Sequence, residues 1–216
     1  KRGGVGVVDL DTKDEDFVTN FLTATTHSDL LFFSDKGKAY QIKMYEIPEG
    51  RRATKGKSIM NFLALSSDEK ITSILSMSKE VKTSNLSLLM ITKQGVGKKV
   101  SAKSFHDVRR SGLIAITLQA GDELISASFV EKGDECIVVS TLGQSIRFKE
   151  ANIREMGRTA GGVRAMKLGK NDAIVGADII KKSQKDPVLL VIMANGYGKK
   201  TELSEYKTQN RGGSGI

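Results

Sequence analysis

The stretch KRGGVGVVDL (residues 1–10) is echoed at the other end of the chain by TQNRGGSGI (residues 208–216). Between them stand RRATKGKSIM (residues 51–60), RRSGLIAITL (residues 109–118) and GRTAGGVRAMKL (residues 157–168). Each joins a basic residue or two to one or more glycines and then to an apolar, strand-like stretch. Taking the last glycine of each cluster as a ruler marks Gly4, Gly56, Gly112, Gly162 and Gly213, spaced by 52, 56, 50 and 51 residues. A period near fifty belongs to blade-like β arrays, in which one repeat is a small sheet that buries its faces only by stacking on neighbours. The chain therefore reads as one domain, 1–216, with repeats at about 4–55, 56–111, 112–161 and 162–212 and the opening of a fifth at 213–216.

Within a repeat nearly everything reads as strand. In the second repeat, SIMNFLAL, ITSILSM, LSLLMIT and KKVSAKSF are four short runs rich in Ile, Leu, Met and Val, separated by polar turns. The turn before the last run recurs as SDKGKAYQIK, TKQGVGKKVS, STLGQSIRFK and MANGYGKKTE. Gly37, Gly95, Gly143 and Gly196 fall where a tight hairpin demands positive φ. Acidic turns recur between the first and second runs, in SSDEK, AGDEL and GKNDA. The expected fold is all-β, a propeller-like array of about four four-stranded blades.

Composition narrows the class. A chain of 216 residues with 2 prolines, no tryptophan and 27% charged residues can bury a substantial core. The single cysteine, Cys136, lies in the apolar run ECIVVSTLG, which argues against a disulfide scaffold and for a reducing, cytoplasmic setting. No run approaches eighteen uncharged apolar residues, and no signal-peptide pattern is visible, so neither a membrane span nor export is expected.

The placement of charge says more than its total of +9. The segments from each hairpin glycine to the next glycine cluster (37–56, 95–112, 143–162 and 196–213) hold 18 Lys and Arg against 7 Asp and Glu. The rest of the chain holds 16 basic and 18 acidic residues. If repeats are related by rotation, equivalent segments share one rim, and a positive cluster repeated there becomes a band suited to a phosphate backbone. Affinity would carry little sequence preference, and the curvature of the array would favour bent duplex. The cations of this rim are Arg51, Arg52, Lys55 and Lys57, then Lys98, Lys99, Arg109 and Arg110, then Arg147, Lys149, Arg158 and Arg164, and finally Lys199, Lys200 and Arg211. The competing reading is that these residues only solvate blade edges, where lysine guards against aggregation. It does not explain why the positive excess keeps to one segment while another turn stays acidic.

Other chemistry is weakly represented. GRRATKGKS (residues 50–58) has five residues between its glycines instead of the four of a phosphate loop, and no helix pattern follows. GVGVVD (residues 4–9) lacks the third glycine of a dinucleotide fingerprint. His27 and His106 are the only histidines, each alone in a polar context, and the acidic turns lack the ligand density of a calcium loop. Tyr40, Tyr45, Phe105, Phe148 and Tyr206 follow the hairpins, where blade packing is favoured over base stacking. No nucleophile, base and orienting group can be assembled.

The segment KRGGVG (residues 1–6) resembles the Q-R-R-G-G-K-G box that opens the C-terminal domain of bacterial DNA gyrase A. THSDLLFFSDKGKAYQIKMYEIPE, AGDELI, GRTAGGVRAMKLGKND and NGYGKKTELSEY resemble successive blades of that domain in order, so the similarity runs along essentially the whole chain. The resemblance implies a β-pinwheel whose neighbouring blades exchange strands. It also implies duplex DNA as partner, chiral wrapping of that DNA in support of negative supercoiling, and association with the rest of gyrase A and with gyrase B in an A2B2 assembly at the nucleoid. It adds Lys1, Arg2, Gly3, Gly4 and Gly6 of the box to the DNA-binding set. The domain is expected to be catalytically silent and to hold no cofactor or metal, ATP and Mg2+ being used elsewhere in the enzyme. The leading glutamine of the signature has no counterpart here, and Val5 stands where a basic residue is usual, so a weakened box is expected. Family members usually have about six blades, against four repeats and the start of another here. The rival readings are the equivalent domain of topoisomerase IV, which selects DNA substrates without tight wrapping, and a propeller-like protein-interaction module. An enzyme built at the centre of the array is a more distant third.

Overall fold

The computed structural model describes residues 18–51 and 55–216. Four β-hairpins recur along the chain: β1 (Asp29–Ser34) with β2 (Lys38–Lys43), β4 (Ser87–Thr92) with β5 (Val96–Ser101), β8 (Glu135–Ser140) with β9 (Ser145–Lys149), and β12 (Val188–Ile192) with β13 (Gly198–Glu202). Between them run β3 (Ile71–Met77), β6 (Leu113–Ile114), β7 (Leu124–Val130), β10 (Val163–Arg164) and β11 (Ile174–Ile180), and β14 (Thr208–Gln209) follows the last hairpin. One short helix, α1 (Lys79–Thr83), capped by the Ser78 side chain, links β3 to β4. The hairpin glycines Gly37, Gly95, Gly143 and Gly196 have φ of 74°, 82°, 85° and 82°, the conformation the sequence demanded.

The sheets do not coincide with the sequence repeats. Strand order is β3-β1-β2-β6 in the first, β7-β4-β5-β10 in the second and β11-β8-β9-β14 in the third. Each is built on the hairpin of one repeat, takes an antiparallel strand on one edge from the next repeat, and is closed on the other edge by chain from further along. β7 packs against both β3 and β11, so these three strands line the inner side of the array. β6 and β10 lie on the opposite, outer edges. The fourth sheet has only β12 and β13, and its Leu190 and Ile192 are 62% and 68% exposed.

One sequence expectation fails locally. SIMNFLAL, read as the first strand of the second repeat, is a 3-10 turn over Ile59–Asn61 whose Ser58 hydroxyl accepts from the Met60 N–H. In the third and fourth repeats the corresponding segments, β6 and β10, pair with the hairpin two repeats earlier. The segment of the second repeat pairs with no strand among the described residues.

The cores lie between blades. Leu31, Phe33 and Met77 of the first sheet meet Leu88, Met90, Leu124 and Ala127 of the second, with the Phe33 and Phe105 rings edge to face at 5.7 Å. Leu89, Ile91 and Val130 of the second meet Cys136, Val138, Ile146 and Phe148 of the third. Neighbours thus bury what no blade buries alone, at roughly 25 cal/mol per Å² of apolar surface.

Candidate nucleic-acid interface

The glycine clusters of the third and fourth repeats and of the chain's end form the outer edge. After each of these three the chain wraps the hairpin tip of the sheet it closes as a strap. In the third repeat the Ala115 and Ile116 N–H groups both donate to the Gly37 carbonyl, and in the fourth those of Ala165 and Met166 both donate to that of Gly95. The strap glycine must come this close. A Cβ on Gly162 (φ 89°) would sit 2.7 Å from the Gly97 carbonyl oxygen, and one on Gly112 (φ 80°) 2.5 Å from the Tyr40 ring. The matching glycine at the chain's end is Gly215, whose Cβ would meet the Ser145 carbonyl, rather than the Gly213 chosen by counting along the sequence. Ile216 there exchanges two backbone hydrogen bonds of 2.8 Å with Ser145.

Successive straps are stitched together. The Thr117 N–H donates to the Ala160 carbonyl (3.4 Å) and the Lys167 N–H to that of Gly213 (2.8 Å). The Arg158 guanidinium donates to the Ile114 carbonyl (3.2 Å), and that of Arg211 to the carbonyls of Arg164 (2.9 Å) and Asn152 (2.8 Å). The repeated acidic turns have a structural use as well. The Asp122 carboxylate accepts from the Gln94 N–H (2.9 Å) and that of Asp172 from the Leu142 N–H (3.0 Å), each joining a turn to the hairpin tip of the preceding blade.

The structure divides the sequence-selected cations into groups. Arg51, Lys55, Lys57, Arg109, Lys149, Arg164, Lys199 and Lys200 are exposed, as is Arg110, which pairs with Glu46. Arg158 and Arg211 are half-buried and spend donors on the straps. Lys99 and Arg147, at equivalent places four residues after their hairpin glycines, pair with Glu150 and Glu135 and are only 12% and 18% exposed. Lys98 is buried outright. Its ammonium donates to the Ala115 carbonyl (2.8 Å) and to the Arg158 carbonyl, bridging two straps, so it is turned away from any outer ligand. Lys1, Arg2, Gly3, Gly4, Gly6 and Arg52 lie outside the described residues. Counting between glycines passed over Lys167 and Lys170, both exposed just beyond Gly162; a window carried past the glycine to the acidic turn would have included them.

Burial, with the charge of Arg158 adding to it, pushes the Lys98 ammonium down from 10.5 to about 8. Between about pH 8 and 10.5 the unfolded chain then holds a proton at this site that the folded chain has released, so folding stability rises with pH across that window. Below pH 8 the cost of burying the charge is present in full. Melting temperatures of the wild type and of Lys98→Met, compared from pH 7 to 10.5, should move in favour of the wild type as pH rises. A constant or opposite difference would show that the ammonium is not desolvated.

Buried Cys136 has its thiol pushed far up by the loss of solvent, which makes it unreactive. Among the described residues there is no group of three or more His, Cys, Asp or Glu that could hold a metal ion, and no helix is long and apolar enough to cross a membrane.

Strand-exchanged blades around an inner row of strands, with glycine straps on the outer edge, define the class as a propeller-like β-pinwheel. The family described as "DNA gyrase C-terminal domain, beta-propeller" matches residues 1–25, 28–76, 86–131, 134–181 and 189–216. The chain belongs to that family, the C-terminal domain of gyrase A, one of the chains of a type II topoisomerase. It is 40% identical over 215 residues to the DNA gyrase A protein of Staphylococcus epidermidis and 38% identical to that of Staphylococcus aureus, matching over 100% of its own length and 24% of theirs. Among solved structures, a topoisomerase IV C-terminal domain superposes with a TM-score of 0.84 at 28% identity, covering 96% of this chain and 64% of that one. A DNA gyrase A C-terminal domain superposes with a TM-score of 0.78 at 30% identity, covering 99% and 68%.

Proposed function

We propose that this domain binds duplex DNA along the outer edges of its blades and wraps it with a fixed hand, supporting negative supercoiling by an intact gyrase. The observation that carries the reading is the stitching of successive straps, Thr117 to Ala160 and Lys167 to Gly213, which joins the Lys- and Arg-rich segments that follow the hairpins into one outer path. Such a path supplies phosphate contacts in series with little base readout. The exposed cations carry the contacts, and Lys98, Lys99 and Arg147 hold the path in shape. The domain acts without catalysis and without its own cofactor. Its partners are the remainder of gyrase A and gyrase B in an A2B2 enzyme at the nucleoid, with ATP and Mg2+ used there.

The test is topological. Nicked circular DNA religated with the domain bound should show a linking-number shift of one sign that grows with the amount of domain. Binding with no shift would remove wrapping and leave plain DNA attachment. The superposition on a topoisomerase IV domain favours a second reading, DNA substrate selection without tight wrapping. In a full-length enzyme the two separate cleanly, because a gyrase introduces negative supercoils whereas the alternative only relaxes and decatenates.

A further inference from the structure

The straps of the third and fourth repeats share geometry and differ in charge, and the segment of the second repeat, which joins no sheet among the described residues, can be aligned with them through its turn carboxylate. Counting back eight, five and two residues from the turn carboxylates Glu69, Asp122 and Asp172 finds three positions that are exposed in every repeat. They hold Asn61, Ala64 and Ser67 in the second repeat, and Ile114, Thr117 and Ala120 in the third. In the fourth they hold Arg164, Lys167 and Lys170. Over the twelve residues ending just after the carboxylate, the formal charge is −1 for 59–70, −2 for 112–123 and +2 for 162–173. The outer path is therefore graded, and the step of four charges falls between two straps that touch.

We propose that the strap of the fourth repeat is the primary anchor for duplex DNA on this domain, an inference that rests on the DNA-binding reading above. Among the described residues none of its three cations is in an ion pair, in contrast with Lys99, Arg110 and Arg147, so their charge is available to a ligand. The nearby carboxylate does not compete well. Asp172 already accepts from the Thr141 hydroxyl (2.9 Å) and from the Leu142 and Ala173 N–H groups. Beside Arg164 a groove of about 340 Å³ opens, lined by Gln94, Gln119, Gly161 and Gly162, where amide side chains and bare peptide groups can receive a phosphate without steric hindrance. The third repeat offers at the same places an isoleucine, a threonine whose hydroxyl already donates to the Thr159 carbonyl (2.7 Å), and an alanine, none of which carries a charge to set against a phosphate. DNA docks on the fourth strap first and then bends along its weaker neighbours.

The equivalence of the straps supplies the test. In a first variant Arg164→Ile, Lys167→Thr and Lys170→Ala give the fourth strap the residues its fold already accommodates in the third. A second variant adds Ile114→Arg, Thr117→Lys and Ala120→Lys. Binding of a 20-base-pair duplex should weaken more than tenfold in the first, with the slope of log affinity against log salt shallower by about 2.7, three contacts at about 0.9 each. It should recover most of that loss in the second, in which the anchor is moved by one blade. Wild-type lysine acetylation with and without duplex gives a readout that needs no variant to fold: Lys167 and Lys170 should be protected more strongly than Lys57 and Lys149. A first variant within twofold of wild type, or equal protection of all four lysines, overturns the anchor while leaving DNA binding in place. A wild-type domain that binds no duplex overturns the underlying reading itself.

Discussion

Raising salt from about 50 to about 200 mM should weaken the binding of short duplex by roughly 10³–10⁵-fold, the loss expected when about 6–10 phosphates are neutralised. The structure refines which residues produce it. Arg51, Lys55, Lys57, Arg109, Lys149, Arg164, Lys167, Lys170, Lys199 and Lys200 are exposed without an acidic partner among the described residues, and ten contacts correspond to a slope of about −9. Replacing Lys199 and Lys200 by alanine should weaken binding to all sequences alike and make the slope shallower by about 2. Replacing Lys98 by methionine should leave the slope unchanged, since its ammonium is buried on backbone carbonyls. A flat salt response of the wild type would remove the phosphate path altogether, and a loss confined to one DNA sequence would point to base readout instead.

Replacing Arg2, Gly3, Gly4 and Gly6 by alanine should abolish supercoiling by the intact enzyme while ATP-independent relaxation survives. The spacing Arg-Gly-Gly-x-Gly recurs at Arg211, Gly212, Gly213 and Gly215. There the arginine bonds the carbonyls of Arg164 and Asn152, and the last glycine approaches the Ser145 backbone more closely than any Cβ permits. Alanine keeps neither the donor nor the close approach. Most cations of the outer path are untouched by the change, so short linear duplex should still bind with modest loss. A long wrapped path depends on contacts at successive blades to offset a bending cost on the order of 1–6 kcal/mol for a short site, and it should fail. Val5→Lys should strengthen wrapping. The measurement is the linking number of circles religated with each variant bound, and an unchanged shift in the alanine variant would make the segment a mere turn between blades.

Much of this molecule was legible in its sequence because the deciding signals are local. A hairpin glycine fixes positive φ within its own turn, so Gly37, Gly95, Gly143 and Gly196 announce their hairpins before any tertiary contact forms. The recurrence of that turn and of the glycine cluster yields the period, and the period yields a stacked β array. The positive bias of each post-hairpin segment is likewise a property of the chain itself.

What the tertiary structure decided is non-local. A short apolar run carries no mark of which edge it will join: β3 and β6 come from the two repeats following the β1–β2 hairpin they flank, and SIMNFLAL, apolar as it is, forms a 3-10 turn that joins no sheet among the described residues. Charge behaves the same way. Lys98 and Lys99 are neighbours in a basic run, yet one is buried beneath two straps and the other pairs with Glu150 of the next repeat. Lys167 and Lys170, just past the glycine that closed the count, stand exposed on the outer path. Composition places the cations on the right segments, but burial by chain 17 and 60 residues away chooses which of them meet solvent, because desolvating an ammonium is decided by everything packed around it and not by its position in the sequence.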